Sequence, residues 1–560
     1  MNSCTIKWRA SVHFVAAVVV VAVEIVAFFA ESPLPPNPPS HLLAVVGMAL
    51  TLEELQDIQA GAMADDVDID FDRMQLWTAA QAAAYFESGG TEPPDEQVTA
   101  SPSPPPRAPT VGTSKELDLV IVGATGLVGK WCCQLLSELA AGGRGGAPQL
   151  LAEGEAPPTW GVAGRASDKL DALAKKYGVR KFVLVEDEPQ SFDTLTAATA
   201  LVVAVAGPYR QAIPRQLIAA CARAKHVAYF DLTGEYTLVA DVVKQHDAAA
   251  RANGSALITM CGPEEVCAIE MGVMLAAKAL RGADSGAGAR AVQILTAQHR
   301  AAMSGGSIAS GMHMRLEESE SRLEDPWLLL PEGCAPPSNA AELAGEWTSD
   351  FKEAAQDKAA FGASLWLGPS FLAEGNVRML RRTAQLLRTR GPLPGQPALL
   401  PAASPEASGG GPQAALAIRE RSYAAAKQSA MMAAYIINLP PQATQQAVAA
   451  GKAPKPGEGP TTEESKLTGF HDWAIAYDRL PSARSARAAA CQIRARPGVG
   501  HGIGCGYVGS AYCILECALT VRAMGGVPAA HCGAGLSPCA ALDFDEHCKA
   551  RAHALRPYDL

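Results

Sequence analysis

The chain has no excess of basic residues: 47 Lys and Arg stand against 57 Asp and Glu, a formal net charge of −10. No Lys/Arg-rich face emerges from the pattern, so nucleic acid is excluded as an expected partner. Only 19% of the 560 residues are charged, while Ala, Gly and Pro are abundant. Compositional bias therefore sits in the loops, and ample apolar residues remain for a core. The length accommodates two or three domains. Fourteen cysteines include no Cys-x-x-Cys pair, which removes a common metal-ligand and redox signature. Cys505, Cys513, Cys517, Cys532, Cys539 and Cys548 crowd the end of the chain, in the same region as His501, His531 and His547. Buried thiols in a reducing compartment account for them better than a metal site, and no metal is expected. A disulfide framework is not expected in a domain this large.

One apolar run stands out. Lys7 and Arg9 precede a nearly continuous stretch from Val12 to Ala30, interrupted by His13 and Glu24 and followed by a Pro-rich passage to Ser40. Its length is close to that of a bilayer span, although Glu24 would be costly at the centre. No small-x-small cleavage site follows, so a membrane anchor is preferred over a signal or organelle-targeting segment. The expected localisation is accordingly membrane-associated, on an organelle or a lipid droplet. Residues 41–114 divide into an acidic part, a helical pattern over Met74–Phe86, and a Pro/Ser-rich linker over 91–114.

The organising stretch is Leu117 to Gly129, Leu-Asp-Leu-Val-Ile-Val-Gly-Ala-Thr-Gly-Leu-Val-Gly. A β-branched run ends in glycines at Gly123, Gly126 and Gly129, and a helical pattern follows. Strand, glycine turn and helix open a dinucleotide-binding unit, with the pyrophosphate at the helix N-terminus. Gly123, Ala124, Thr125, Gly126, Leu127, Val128 and Gly129 are its candidate contacts. Further strand–helix alternation to Met260 implies a doubly wound parallel sheet. Its carboxyl edge carries Gly123, Arg165, Gly207, Tyr209, Asp231 and Cys261. NAD sites usually place an acidic residue at the end of the second strand. Here Arg165 stands there with Lys169 close behind, which favours the 2′-phosphate of NADP(H) over NAD(H). Gly207, Pro208, Tyr209 and Asp231 complete the expected cofactor contacts. Beyond Glu270 the alternation weakens. Ser304 to Gly311 opens a helix expected to reach about Leu323, and low-complexity insertions are read over about 391–414 and 440–460.

Several of these motifs resemble the saccharopine dehydrogenase-like oxidoreductases, a group that includes the trans-acting enoyl reductases and animal lipid-droplet proteins. The matching residues are Gly-Ala-Thr-Gly-Leu-Val-Gly at 123–129, Ala-Gly-Arg at 163–165, Gly-Pro-Tyr-Arg at 207–210, Asp-Leu-Thr-Gly-Glu at 231–235 and Ser-Gly-Gly-Ser-Ile-Ala-Ser-Gly at 304–311. The resemblance implies an α/β fold with a Rossmann-type doubly wound parallel sheet over 115–265, then a mixed α/β substrate or dimerisation domain over 266–560. It departs from the group where Pro263-Glu264-Glu265 follows Cys261-Gly262, and at Gly504-Cys505-Gly506-Tyr507. These departures bear on catalysis more than on cofactor binding.

Reduction needs a proton donor beside the hydride. Tyr209 is the first candidate, with Cys261 and Glu264 behind it. Tyr209 and Arg210 can equally brace the turn after Pro208, and Asp231 can cap the segment after it. The expected function is reduction of an enoyl or carbonyl group on a small-molecule or lipid substrate. Two alternatives remain: a non-catalytic nucleotide-binding protein of membranes or lipid droplets, and an amino-acid pathway reductase. The latter needs a cation cluster, for which Arg378, Arg381 and Arg382 are candidates. A homo-oligomer is left open.

Overall fold

The computed structural model describes residues 75–78, 115–141, 155–262, 266–281, 289–299, 303–334, 355–357, 365–393, 416–424, 439–461, 469–478, 488–495 and 506–543, with a few single positions between them. In chain order the elements are β1 (Gln75–Thr78), β2 (Leu117–Val122), α1 (Leu127–Ala140), β3 (Trp160–Gly164), α2 (Ser167–Tyr177), β4 (Arg180–Val183), α3 (Pro189–Ala198), β5 (Thr199–Ala204), α4 (Ala212–Arg223), β6 (Ala228–Asp231), α5 (Tyr236–Ala252) and β7 (Ala256–Ile258). They continue with α6 (Val266–Arg281), β8 (Ala291–His299), α7 (Gly305–Glu317), α8 (Glu320–Glu324), β9 (Ala355–Asp357), β10 (Leu365–Pro369), α9 (Ala373–Arg390), β11 (Ala417–Ala424), α10 (Pro441–Ala449), β12 (Gly469–Tyr477), β13 (Ala488–Ala495), α11 (Gly506–Met524), β14 (Gly533–Leu536) and α12 (Pro538–Ala541).

Two sheets organise these elements. One has the order β14-β7-β6-β5-β2-β3-β4 and is parallel throughout. Helices cover both of its faces, which explains why β2 is apolar on alternate sides. Leu119 and Ile121 enter one core cluster, while Val120 and Val122 enter the other. The second sheet, β1-β13-β12-β8-β11-β10-β9, is antiparallel except where β11 lies parallel to β8. Its core forms with α6 and α9 through Val273, Met274, Val377 and Leu380. The chain is thus α/β, a Rossmann-like parallel sheet beside a mixed one.

The connectivity departs from the local pattern in several places. Gln75–Thr78, expected inside a helix, is a strand paired with β13. The helix expected to run to Leu323 breaks at Glu318 and Ser319, which separate α7 from α8. The end of the chain returns to the first sheet, where β14 pairs with β7 and α11 packs on α1. Part of the passage read as a low-complexity insertion is α10 and an ordered loop to Pro460, packed against α7. Among the described residues no helix is long and apolar enough to cross a membrane. The expectation of a membrane-associated protein is corrected on that finding, and the Val12–Ala30 run behind it lies outside the described residues.

Candidate active site

The β2–α1 turn meets the demands of a phosphate cradle. Gly123 adopts φ 89°, and a β-carbon on it would sit 2.8 Å from Ala206 Cβ at the tip of β5. A β-carbon on Gly129 would come 2.7 Å from Ala124 Cα and nearer still to the Gly123 carbonyl oxygen. The helix therefore closes directly onto the turn. Gly126 is the exposed N-cap, with no side-chain cap on the helix. The first-turn N–H groups of Leu127, Val128 and Gly129 lack intrahelical acceptors and point outward with the positive dipole end. Ala124 is buried and Thr125 half-buried, so the backbone forms this surface.

Arg165 follows β3 directly, and both it and Lys169 are exposed; neither forms an ion pair among the described residues. Their charges are available at the strand tip beside the cradle. A cavity of about 340 Å³, lined by Lys115, Thr196 and Arg223, lies at the opposite end of the sheet and has no part in this edge.

The strand tips bring Tyr209, Asp231 and Cys261 together, yet close them off from solvent. Tyr209 donates its hydroxyl proton to the Ala204 carbonyl at 3.0 Å and accepts the Leu232 N–H at 3.2 Å. That geometry makes it a brace between β5 and β6, not a free proton donor. Asp231 is buried, and its Oδ1 accepts the Thr233 and Met260 N–H groups at 3.0 and 3.2 Å. Burial pushes this carboxyl up to about 7, against the pull of those bonds. It caps the segment after β6 and ties it to β7. Cys261 is fully buried beside Cys267 and Cys517, and burial raises its thiol. It is a core thiol, and the expectation of a reactive group is corrected. Glu264 lies outside the described residues. Gly207 is exposed and Pro208 buried, joined by a cis peptide.

A charged network missed in the sequence lies on the same edge. Glu235 accepts the Tyr209 N–H at 3.3 Å and pairs with Arg210 at 3.2 Å. Arg210 also binds Glu318, which pairs with Arg322 at 2.7 Å, and Arg322 reaches Asp241 at 2.8 Å. Burial raises the Glu235 carboxyl, while Ser310, the Tyr209 N–H, Arg210 and His313 each pull it back down.

Helix α7 lies across this edge. At its start, Ser304 caps the helix by accepting the Ser307 N–H at 3.2 Å. Tyr507 of α11 accepts the Ser304 N–H and meets Ser307 Oγ at 3.2 Å. A β-carbon on Gly459 would touch Leu127 at 3.0 Å and Ser304 at 3.2 Å, so the 456–460 loop joins the two helix starts. Farther along, Ser310 bonds Glu235. The three-residue recurrence of Ser304, Ser307, Ser310 and His313 was legible as a helical ridge; its partners were not.

The cluster Arg378, Arg381 and Arg382 is buried and turned to another task. Arg378 donates to Asp325, Leu323 and Glu374 carbonyls, Arg381 to Pro326, and Arg382 to Gly535, Leu329 and Ala534. These bonds fasten 323–329 and β14 onto α9, which corrects the reading of a carboxylate or headgroup site. The eleven described cysteines are all free thiols.

No family model matches the chain. A relative from Mycobacterium tuberculosis, provisionally named as a trans-acting enoyl reductase, is 28% identical over 301 residues, covering 49% of this chain and 62% of its own. The trans-acting enoyl reductase of Mycobacterium leprae is 26% identical over 284 residues, with the same shares covered. The match thus spans less than two thirds of the curated relatives' length. The solved apo saccharopine dehydrogenase (L-Glu forming) of Saccharomyces cerevisiae aligns with 78% of this chain and 97% of its own at 10% identity and a TM-score of 0.35. The resemblance read from the motifs is borne out by the two mycobacterial relatives, whose names are those of enoyl reductases. The fold class rests on the strand order itself.

Proposed function

We infer that the protein is an NADP(H)-dependent oxidoreductase that reduces an enoyl or carbonyl group on a neutral lipid or lipid precursor. The observation that carries this is the Gly123–Gly129 cradle, where added β-carbons would fill the turn, beside the unpaired Arg165 at the next strand tip. The residues fit the dinucleotide. The N–H groups of Leu127 to Gly129 would hold its pyrophosphate, and Arg165 with Lys169 its 2′-phosphate. When bound, the cofactor supplies a hydride. The chain's own part is to orient the substrate, exclude water and provide a proton.

The charges at the substrate end support a neutral substrate. Arg210 lies between Glu235 and Glu318, Arg322 pairs with Asp241 and Glu318, and Arg315 donates to the Ile437 carbonyl. Arg378 and Arg382 are held by carbonyls, and Arg381 is buried between the Pro326 carbonyl and the Trp327 ring with two nitrogens still unbonded, so Arg381 alone of these cations keeps donors to spare. That weighs against an amino-acid pathway reductase, whose substrate carries several carboxylates. The relatives' name, trans-acting enoyl reductase, supports an enoyl acceptor.

The test is a fluorescence titration of NADPH and NADH onto the full chain, beside Arg165→Ala. Tight NADPH binding, selectively weakened by loss of Arg165, is expected. Binding of neither nucleotide would overturn the reading.

A further inference from the structure

We propose that Tyr507 forms a second wall of the phosphate cradle, donating its hydroxyl to a phosphate oxygen of the dinucleotide, with Ser304 and Ser307 orienting it. The inference rests on the NADP(H) reading of the Gly123–Gly129 turn. It adds a binding residue from outside the loops of the parallel sheet.

The three hydroxyls come from distant parts of the chain. Ser304 caps α7 and Ser307 lies in its first turn, while Tyr507 lies in the first turn of α11, the helix that packs on α1. A β-carbon on Gly459 would sit 3.0 Å from Leu127 Cδ2 and 3.2 Å from Ser304 Cβ. A single glycine therefore separates the first residue of α1 from the cap of α7. The same loop fixes the start of α7. Gly305 donates its N–H to the Glu458 carbonyl at 3.0 Å, and a β-carbon on Gly305 would run into the Lys455 carbonyl. The hydroxyls are thus held in place beside the turn.

Their hydrogen bonds leave one donor over. Tyr507 Oη accepts the Ser304 N–H, and Ser304 Oγ accepts the Ser307 N–H at 3.2 Å. Ser307 Oγ lies 3.2 Å from both Ser304 Oγ and Tyr507 Oη. These two oxygen–oxygen contacts use two of the three hydroxyl protons, whichever way each one points. Among the described residues no acceptor takes the third. A phenol donates more strongly than an alkyl hydroxyl, so the chain runs from Ser304 to Ser307 to Tyr507. Tyr507 then accepts from the Ser304 N–H and the Ser307 hydroxyl, and its own proton is the one left. The ring is half-buried, within reach of a ligand. A phosphate oxygen, which only accepts, completes the set.

The local field suits an anion as well. None of α1, α7 and α11 has an acidic residue in its first turn, and their positive ends meet here. Glu458, the acid of the adjoining loop, turns its Oε2 back onto the Lys455 N–H at 2.9 Å. The 2′-phosphate of the proposed cofactor is met by Arg165 and Lys169 of the parallel sheet alone. Its pyrophosphate is met from both sides.

The experiment uses the full-length chain and Tyr507→Phe. NADPH affinity is read by fluorescence. Adenosine 2′-monophosphate, which has the 2′-phosphate and no pyrophosphate, is titrated as a competitor. Independently, hydrogen exchange over residues 304–308 and 456–460 of the wild type is followed by mass spectrometry, with either nucleotide saturating. Tyr507→Phe is expected to weaken NADPH by about 10-fold or more and to leave the 2′-monophosphate unchanged. NADPH should slow exchange in both segments, and the 2′-monophosphate should not. Undiminished NADPH affinity in Tyr507→Phe would overturn the proposal. An equal loss for both nucleotides would show a merely structural tyrosine and overturn it too. Exchange indifferent to NADPH would do the same without requiring any variant to fold. Failure of the wild type to bind NADPH would instead overturn the oxidoreductase reading, and this proposal with it.

Discussion

Gly129 lies against the carbonyl of Gly123, so close that a β-carbon at 129 would also stand 2.7 Å from Ala124 Cα. At Gly126 the nearest atom to such a carbon is 3.2 Å away. The three glycines of the turn therefore have unequal tolerances. Gly129→Ala is expected to lower stability by about 1–3 kcal/mol through overpacking and to abolish NADPH binding. Gly126→Ala should fold normally and weaken NADPH modestly. Thermal melts beside NADPH titrations distinguish them; equal effects at both positions would contradict the geometry.

The proposed preference for NADP(H) rests on Arg165. One charge-assisted contact to a 2′-phosphate is worth about 1.5–3 kcal/mol, so Arg165→Ala should weaken NADPH by about 10- to 100-fold. NADH affinity should hardly change. A parallel loss for both nucleotides would remove the 2′-phosphate role.

Tyr209 separates a bracing role from a catalytic one. Tyr209→Phe deletes the bond to Ala204 and leaves the Leu232 N–H without its acceptor. A loss of about 1–3 kcal/mol in stability is expected, with kcat lowered less than about 10-fold. A fall beyond 100-fold, the range of a general acid, would return the tyrosine to the chemistry.

Arg210 neutralises two buried carboxylates, Glu235 and Glu318. Arg210→Met strands both and should cost about 3–5 kcal/mol, read as a lower urea midpoint. Pairing it with Glu235→Gln should restore part of that loss. A double variant no better than the single one would argue against the ion network.

Glu420 gives stability a pH dependence. It is fully buried, and burial raises its carboxyl from an ordinary 4.5 to about 7 against the hydrogen bonds of Ser370 and Asn376. Below about pH 4 it is protonated in both folded and unfolded chains and carries no penalty. As pH rises towards 7 the unfolded chain ionises first, so the stability contribution is lost across that window. Glu420→Gln removes the titration, so its melting temperature relative to wild type should rise between pH 5 and pH 8. A constant difference would show that Glu420 does not titrate there.

Much of the carboxyl edge of the parallel sheet was legible in the sequence because its causes are local. A β-branched run favours a strand, Gly123 permits a positive φ that other residues resist, and repeated strand–helix units close only as a parallel sheet. Arg165 could be placed for the same reason, one residue past a strand end. The partners of Glu235 and Ser304 came from elsewhere in the chain, and only the tertiary structure decided them. Packing of α7 across the strand tips brings Ser310 to Glu235, and the return of α11 brings Tyr507 to Ser304. Arg378, Arg381 and Arg382 form an apparent cation cluster in sequence, but the fold turns them onto carbonyls of segments 323–329 and 534–535. Gln75–Thr78 became a strand through pairing with β13, which lies far along the chain. A dihedral preference acts on neighbouring residues, whereas a hydrogen bond or ion pair across hundreds of positions exists only once the chain has closed around it.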